Sequence, residues 1–307
     1  IFVDEAQDLS LIQWDIVKKL EKNSKRSIIA GDDDQAIYKW NGADADSFIN
    51  LEGEKVILQQ SYRVPQKIFN VANNIIKKVK NRVEKNWVPK EDLGEVKYHW
   101  EIDKVDLSEG EWLILARTNL FLEKIAYYLD QNDFYFQRRN STPRVKNIYS
   151  LIENWNKLRE GIPLHYNDYK KITNKMSKNV DLKSMKHMSK EDFYDMDTLK
   201  EKYGLKTDDE WYIAFDDLGD HEISKIQKLI KNGEDLSKDP RIKISTIHGV
   251  KGNERDNVVL ITDLSNAAYY KYLDNPDDEH RLFYVGVTRA KKELNIIYAK
   301  TERGYDI

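Results

Sequence analysis

Short apolar runs alternate with helical patterns along most of this chain, and this alternation constrains its fold more than any other feature. An apolar run at residues 1–3 is followed by apolar residues at helical spacing at 9–20 and by a second run at 27–30. A strand, a helix and a strand in this order are typical of βαβ units, whose strands are parallel and buried. We therefore predict an α/β protein built on parallel sheets.

The pattern pauses in a Lys- and Asn-rich stretch at residues 77–90, fades again at 141–239 and resumes afterwards. Strand-like runs lie at residues 56–58, 96–100, 112–116, 134–136, 241–246, 258–262 and 294–298, and helical patterns lie at 65–79, 120–129 and 279–290. The region 141–239 carries helical patterns and a Lys-rich segment instead of strands. We predict one α/β unit at residues 1–90, a second at 91–140 and 240–307, and a mostly helical insertion at 141–239.

Composition excludes several classes of protein. Of the 307 residues, 34% are charged and 40% hydrophobic, and no apolar stretch approaches the length of about 20 residues that a membrane span requires. Cysteine is absent, which excludes disulfides and thiolate metal sites and fits a reducing compartment, so we predict a cytoplasmic protein with no membrane contact. The net charge of −3 argues against a uniformly basic nucleic-acid binder but is compatible with a local basic groove that binds nucleic acid.

The chain has no N-terminal Met or export signal, and we expect it to be cut from a longer one.

Two adjacent carboxylates, Asp4 and Glu5, directly follow the first apolar run, and Gln7 and Asp8 come next. An Asp at the carboxyl end of a buried parallel strand can hold Mg²⁺, and a neighbouring Glu can orient and deprotonate a water molecule. The alternative is that both are ordinary surface acids at the start of a helix.

The second apolar run leads into a polar loop at residues 30–43, where Gly31 permits a sharp turn. Gln35 can hydrogen-bond a terminal phosphate or its attacking water, and Tyr38 and Trp40 offer flat faces for unpaired bases. Taken alone, the two aromatic residues are also compatible with a place in the core.

Two further loops follow strand-like runs and carry groups that suit phosphates. In the first, Arg63 can reach phosphate oxygens and Tyr62 can stack on a base, although a lone Tyr-Arg pair is a weak signal. In the second, at residues 245–254, two glycines let backbone amides approach an anion, and Glu254 can accept a hydrogen bond from a ribose hydroxyl. His248, in the same loop, is by itself more typical of a structural hydrogen-bonder.

Near the end of the last helical pattern, Arg289 precedes two lysines. Such an arginine can act as a finger that reaches from one domain into a phosphate site on another. The alternative is a solvated arginine at a helix end.

The order and content of these segments resemble the motifs of the UvrD/Rep/PcrA family of superfamily 1 DNA helicases. The resembling segments are residues 3–8 (motif II), 31–43 (motif III), 60–63 (motif IV), 246–254 (motif V) and 284–290 (motif VI). Five motifs in the family's order make a specific signal, and the match covers most of the chain outside the insertion.

The resemblance implies a role for each matching residue. On the catalytic side it implies Asp4 on Mg²⁺, Glu5 as the base for water, Gln35 as a sensor of the γ-phosphate, and Arg63 and Arg289 as γ-phosphate contacts. For the nucleotide it implies Tyr62 stacking near adenine and Glu254 holding the ribose, with Gly252 in the same loop. Tyr38, Trp40, Thr246 and His248 would lie at or near the track of single-stranded DNA.

The same resemblance implies RecA-like P-loop NTPase sheets, with the first sheet truncated at residues 1–90 (domain 1A), the second forming domain 2A, and the insertion corresponding to the family's 2B domain. It implies an ATP-dependent 3′–5′ helicase or translocase that acts on single-stranded DNA and duplex junctions, with ATP and Mg²⁺ as cofactors and with repair or replication proteins as partners.

Two departures from the family pattern qualify this expectation. Asn41 stands where motif III usually carries Arg, and no G-x-x-x-x-G-K-[ST] phosphate loop (Walker A) occurs in the chain. We therefore expect the 307-residue chain alone to bind ATP poorly and to hydrolyse almost none. The alternatives are a non-catalytic nucleic-acid-binding or interaction module with helicase architecture, and the helicase part of a helicase-nuclease.

Overall fold

The structure, a computed structural model, describes residues 1–139 and 141–307 as two compact units. The first unit comprises Ile1–Tyr128 and Arg241–Ile307, and the second comprises Leu129–Pro240. The strands are β1 (Phe2–Val3), β2 (Ile28–Ile29), β3 (Gln60–Pro65), β4 (Val88–Lys90), β5 (Glu95–His99), β6 (Trp112–Ala116), β7 (Phe136–Arg138), β8 (Leu164–His165), β9 (Phe193–Tyr194), β10 (Ile242–Thr246), β11 (Arg255–Ile261) and β12 (Ala290–Ile297). The helices are α1 (Leu11–Glu21), α2 (Ala45–Ile49), α3 (Gln66–Ile76), α4 (Asn119–Gln131), α5 (Arg144–Arg159), α6 (Tyr166–Thr173), α7 (Met196–Lys202), α8 (Trp211–Ala214), α9 (Asp220–Lys231), α10 (Asn266–Asp274) and α11 (Pro276–Val287).

Five strands of the first unit form a parallel sheet in the order β5-β12-β11-β6-β10. All residues of β6 are buried, as expected for a central strand of a parallel sheet that is covered on both faces. Helices α3 and α11 pack against each other. The helical pattern expected at 65–79 forms α3, whose apolar stripe is buried at Ile68, Ala72, Ile75 and Ile76. The predicted α/β class is confirmed.

The start of the chain forms a small parallel pair in which β1 lies beside β2, with Phe2 opposite Ile28. Helix α1 connects the two strands, and its start is fixed by a capping box in which Ser10 and Gln13 satisfy each other's backbone amides. Trp14 of α1 is buried against the pair. Because the strands are parallel, Asp4 and the acidic residues after β2 emerge at the same edge.

Three expected elements differ from the structure. The strand expected at residues 134–136 lies slightly later in the chain, as β7. The strand expected at residues 56–58 is wrong, since Val56 and Leu58 are exposed and no strand forms there; the nearby strand is instead β3, which pairs with β4. The last helix, expected at 279–290, begins and ends earlier as α11, because Pro276 occupies its first turn and Ala290 already belongs to β12. Arg289 therefore lies in the short connection between α11 and β12.

The second unit contains helices α5 to α9 and one antiparallel strand pair, β8 with β9. Its core is built around Trp155, Tyr169 and Phe215, all of which are fully buried. Assignment of the two units to the 1A, 2A and 2B domains stays a prediction. No helix in the described parts of the chain combines the length and apolarity needed to span a bilayer.

Candidate nucleotide and nucleic-acid sites

A cavity of about 540 Å³ in the first unit lies beside β3. Its lining residues are Ser61, Tyr62, Arg63, Lys90, Glu254 and Lys291. Three predicted nucleotide-site residues thus meet at one place: the adjacent Tyr62 and Arg63, and Glu254, which lies 191 residues beyond Arg63 in the sequence. The Tyr62 ring is almost fully exposed and is available for stacking.

The cavity carries an excess of positive charge, with three cationic side chains and one carboxylate. Arg63 donates from Nη1 to Oε2 of Glu254 at 3.5 Å, and Lys291 Nζ lies 3.5 Å from the other oxygen. Among the described residues, the Arg63 Nε is buried and has no hydrogen-bond partner. An unpaired buried guanidinium donor is costly unless an acceptor such as a phosphate oxygen binds it.

Arg289 is only 1% exposed, so the alternative of a solvated helix-end arginine is wrong. Its Nε donates to the carbonyl of Val285 at 3.0 Å, and its Nη2 donates to Oε1 of Gln35 at 3.2 Å. Burial lowers the pKa of Arg289 to about 10, and the nearby charge of Arg63 acts in the same direction. Gln35, Arg63 and Arg289 therefore lie close together in the structure.

Asp4 and Glu5 lie at the carboxyl end of β1, and both are exposed. Glu5 adopts a left-handed backbone conformation with φ 52°, which is unusual for a residue with a side chain and is often found at functional sites. Its Oε2 accepts a hydrogen bond from Gln7 Nε2 at 2.6 Å and lies 3.2 Å from Lys251 Nζ. Lys251 also binds Asp8. Within the described residues, Asp4 and Glu5 do not line the cavity at Arg63.

The residues at this edge suit an incomplete magnesium site rather than an all-protein one. No group of three or more His, Cys, Asp or Glu side chains in residues 1–139 and 141–307 is arranged to hold a metal ion. Mg²⁺ usually takes one or two carboxylates and fills its remaining positions with water and substrate phosphates. The exposed Asp4 fits such a site as a single protein ligand.

The proposed DNA-track residues Tyr38, Trp40 and His248 form an aromatic cluster. The Trp40 ring lies 6.0 Å from the His248 ring and the Tyr38 ring lies 6.5 Å from each of them, while Tyr38 Oη donates to the His248 carbonyl at 3.0 Å. Trp40 is 68% exposed, which excludes the core alternative for this residue, whereas Tyr38 is partly buried against the core. Thr246 lies next to the cluster in the chain.

The backbone of the loop at residues 246–254 is held by a local hydrogen bond and includes a glycine with positive φ. Thr246 Oγ1 accepts a hydrogen bond from the Gly249 amide at 3.1 Å, and Gly252 has φ +85°, a conformation that favours glycine. Burial and the charge of Arg117 lower the pKa of His248 to about 4. The His248 imidazole is therefore neutral at pH 7.

Several residues at these sites were not predicted from the sequence. Lys251 touches Glu5 and Asp8, and its Nζ lies 5.3 Å from the centre of the Tyr38 ring. Its place between two glycines of the 245–254 loop was the available signal. Lys90 lines the cavity because β4 pairs with β3, and Lys291 does so because β12 pairs with β11, which begins directly after Glu254. No local pattern shows either pairing.

Comparison with known protein families gives two matching domain models. The sequence model described as UvrD-like helicase C-terminal domain matches residues 114–301, and the UvrD/REP helicase N-terminal domain matches residues 1–55. The chain is 23% identical to "ATP-dependent DNA helicase PcrA" of Bacillus subtilis (strain 168) over 98% of its own length and 54% of that protein.

Proteins of the same name show higher identity over shorter segments. The identity is 33% for Staphylococcus epidermidis (strain ATCC 12228) and 34% for Staphylococcus aureus (strain NCTC 8325), in each case over 37% of this chain and 16% of the relative. The chain thus spans about half the length of the Bacillus relative. Because the C-terminal domain model covers more than half of the chain, the predicted resemblance is confirmed, and the chain belongs to the UvrD-like helicase family.

Proposed function

We propose that this chain is part of an ATP-driven motor that moves 3′ to 5′ along single-stranded DNA and opens duplex junctions. One observation carries the proposal: Gln35, Arg63, Glu254 and Arg289 come from four separate segments and meet beside a cavity with excess positive charge. The relatives named ATP-dependent DNA helicases support the same reaction.

In this proposal the cavity holds ATP. The exposed Tyr62 ring stacks on the adenine, and Glu254 accepts from a ribose hydroxyl. The unpaired Nε of Arg63 donates to a phosphate oxygen, and Arg289 stabilises the charge that develops on the γ-phosphate.

The carboxylates after β1 act on the attacking water and the metal. Glu5 accepts the proton of the water, and its side chain is already oriented by Gln7 and Lys251. Asp4 is the residue that would hold Mg²⁺, which when bound would neutralise charge on the phosphate oxygens.

The nucleotide side and the DNA side are joined through Lys251. This lysine binds Glu5 and Asp8 and lies over the Tyr38 ring, which hydrogen-bonds to the His248 backbone. A movement of Lys251 during the ATP cycle therefore changes the surroundings of the aromatic cluster on which bases stack. This arrangement is a physical route for coupling hydrolysis to DNA movement.

The test uses the full-length gene product that contains this chain. We expect ATP hydrolysis to rise when single-stranded DNA is added, and duplexes with a 3′ single-stranded tail to be opened while those with a 5′ tail are not. Absence of DNA-stimulated hydrolysis would contradict the proposal and favour a non-catalytic nucleic-acid-binding module. Opening of 5′-tailed duplexes alone would contradict the direction.

A further inference from the structure

The acidic run Asp32–Asp34 is packed against two cations from the segment that follows α3. Arg82 donates from Nε and Nη2 to the two oxygens of Asp34 at 2.8 and 2.7 Å, and Asp34 is fully buried. Lys85 Nζ lies 3.1 Å from oxygens of both Asp32 and Asp34 and also binds Asp33. The segment after α3 thus holds the acidic run that directly precedes Gln35.

A chain of contacts continues from Lys85 to the buried arginine. Asp32 uses Oδ1 for Lys85, at 3.1 Å, and Oδ2 to accept from Gln35 Nε2 at 2.7 Å. The other end of the Gln35 amide, Oε1, accepts from Arg289 Nη2 at 3.2 Å. Lys85, Asp32, Gln35 and Arg289 are therefore connected in series.

The chemistry of the two neighbours fixes the orientation of the Gln35 amide. The Asp32 carboxylate only accepts hydrogen bonds and the Arg289 guanidinium only donates them. Only one of the two amide orientations, with nitrogen towards Asp32 and oxygen towards Arg289, satisfies both neighbours. Asp32 thus determines which end of Gln35 faces Arg289.

We propose that Lys85 and Asp32 are positioning residues that hold Gln35 in the orientation in which it supports Arg289 at the γ-phosphate. The inference rests on the proposed function, because the pair matters only if it meets a terminal phosphate. Lys85 helps to keep Asp32 turned inward, together with the Asp34 amide, which donates to Asp32 Oδ1 at 3.2 Å. Without Lys85, the three neighbouring carboxylates repel each other, and Arg82 is the one cation among the described residues that still pairs with them.

Loss of Lys85 is expected to act locally because a second set of contacts fastens the same segment. Arg281 is buried and donates from Nε to the Asp33 carbonyl at 2.9 Å, and it also binds the carbonyl of Asn81. These main-chain contacts do not depend on Lys85. Variants at Lys85 and Asp32 should therefore keep the segment in place.

Asp32→Asn is the sharpest variant because it preserves shape. If the Asn oxygen stays towards Lys85, its nitrogen faces Gln35 and forces that amide to turn, which sets the Gln35 nitrogen against the Arg289 donor. Lys85→Met removes the cation, and Lys85→Arg restores it. Lys80→Met, at an exposed lysine of the same segment, is the matched control.

The experiment measures DNA-stimulated ATP hydrolysis and the binding of ATPγS and ADP by the full-length gene product. We expect kcat to fall by about 10- to 100-fold for Asp32→Asn and Lys85→Met, with recovery in Lys85→Arg. ATPγS binding should weaken while ADP binding stays unchanged, because ADP lacks the γ-phosphate. A merely structural role would weaken both ligands together.

The inference is overturned if Asp32→Asn and Lys85→Met behave like Lys80→Met, or if they weaken ADP and ATPγS equally. Failure of the proposed function gives a different result, namely no DNA-stimulated hydrolysis in the unmodified protein. In that case the ratio of ATPγS to ADP affinity still decides whether Asp32 and Lys85 act on the γ-phosphate side of the site.

Discussion

Arg289 donates a hydrogen bond from Nη2 to the side-chain oxygen of Gln35 at 3.2 Å, across 254 residues of sequence. Gln35 follows β2, and Arg289 lies between α11 and β12. The contact joins the two segments that resemble motifs III and VI of the helicase family. It places the charge of a buried arginine beside an amide that can report on a bound phosphate.

Arg63→Ala should weaken ATPγS binding to the full-length protein by about 1.5–3 kcal/mol, the usual range for hydrogen bonds to charged groups. The reason is the buried Nε of Arg63, which has no partner among the described residues and faces the cavity region. Titration with a fluorescent ATP analogue measures the change. Lys67→Ala, at an exposed lysine on α3, is the control, and an equal loss in both variants would contradict the role of Arg63.

Trp40→Ala should weaken binding of single-stranded DNA by about 1–3 kcal/mol, the range for one lost stacking partner. The free energy of unfolding should hardly change, because Trp40 is 68% exposed. Trp100→Ala is a matched control, since Trp100 is 69% exposed but its ring contacts Tyr298, at a centroid distance of 4.9 Å, instead of His248. Fluorescence anisotropy of a labelled oligonucleotide compares the two, and similar losses would rule out a specific track at Trp40.

His248 should make the protein less stable as the pH falls from 6.5 to 4. Its pKa is lowered from 6.5 to about 4 by burial and by Arg117, so in this window the unfolded chain binds a proton that the folded chain does not. Stability therefore falls with pH by at most about 1.4 kcal/mol per pH unit, and this group has no effect on stability well above pH 6.5.

Urea unfolding of the unmodified chain and of His248→Gln over this pH range isolates that contribution. As the pH falls, the free energy of unfolding should decrease more in the unmodified chain than in His248→Gln. His221→Gln, at an exposed histidine, is the control. Parallel pH profiles for the unmodified chain and His248→Gln would refute the prediction.

Gly31→Ala should destabilise the chain by about 1–3 kcal/mol, the usual cost of overpacking. An added Cβ would lie 2.5 Å from Gln7 Oε1 and 3.2 Å from the Ala6 amide nitrogen. Gln7 is fully buried, and the same oxygen accepts from the Asp32 amide at 3.0 Å, so it has little freedom to move. Thermal or urea unfolding measures the loss. Gly219→Ala meets open space and should cost clearly less.

Local sequence patterns predicted the elements that are buried at every residue or along one whole face. The apolar run of β6 and the stripe on α3 follow directly from periodicity, because every residue of β6 and one face of α3 lie in the core. The run at 56–58 is also apolar, but its side chains are exposed. Strand β3 has a polar start and exists through its pairing with β4, in which Gln60 lies opposite Val88.

In the candidate sites, too, local sequence indicated the residue types, whereas contacts between distant elements could not be predicted. Residue types and order pointed to Arg63, Glu254 and Arg289, but the burial of Arg289 and its bond to Gln35 depend on packing between distant elements. Gly31 was expected to permit a sharp turn, whereas the structure requires glycine there because Gln7 approaches closely. Lys85 acts through contacts with distant carboxylates, for which a single sequence offers no local signal. Lys251 also contacts distant carboxylates, and its place between two glycines was the one local signal for it.

The most direct test of the proposed function is the rate of ATP hydrolysis by the full-length gene product, with and without single-stranded DNA, for the unmodified protein and for Glu5→Gln. Glu5 is exposed and the replacement keeps its shape, so folding and binding of DNA and ATPγS should be preserved. We expect DNA-stimulated hydrolysis in the unmodified protein and a loss of about 100-fold or more in Glu5→Gln. Unchanged hydrolysis in Glu5→Gln, or no stimulation by DNA in the unmodified protein, would contradict the proposed function.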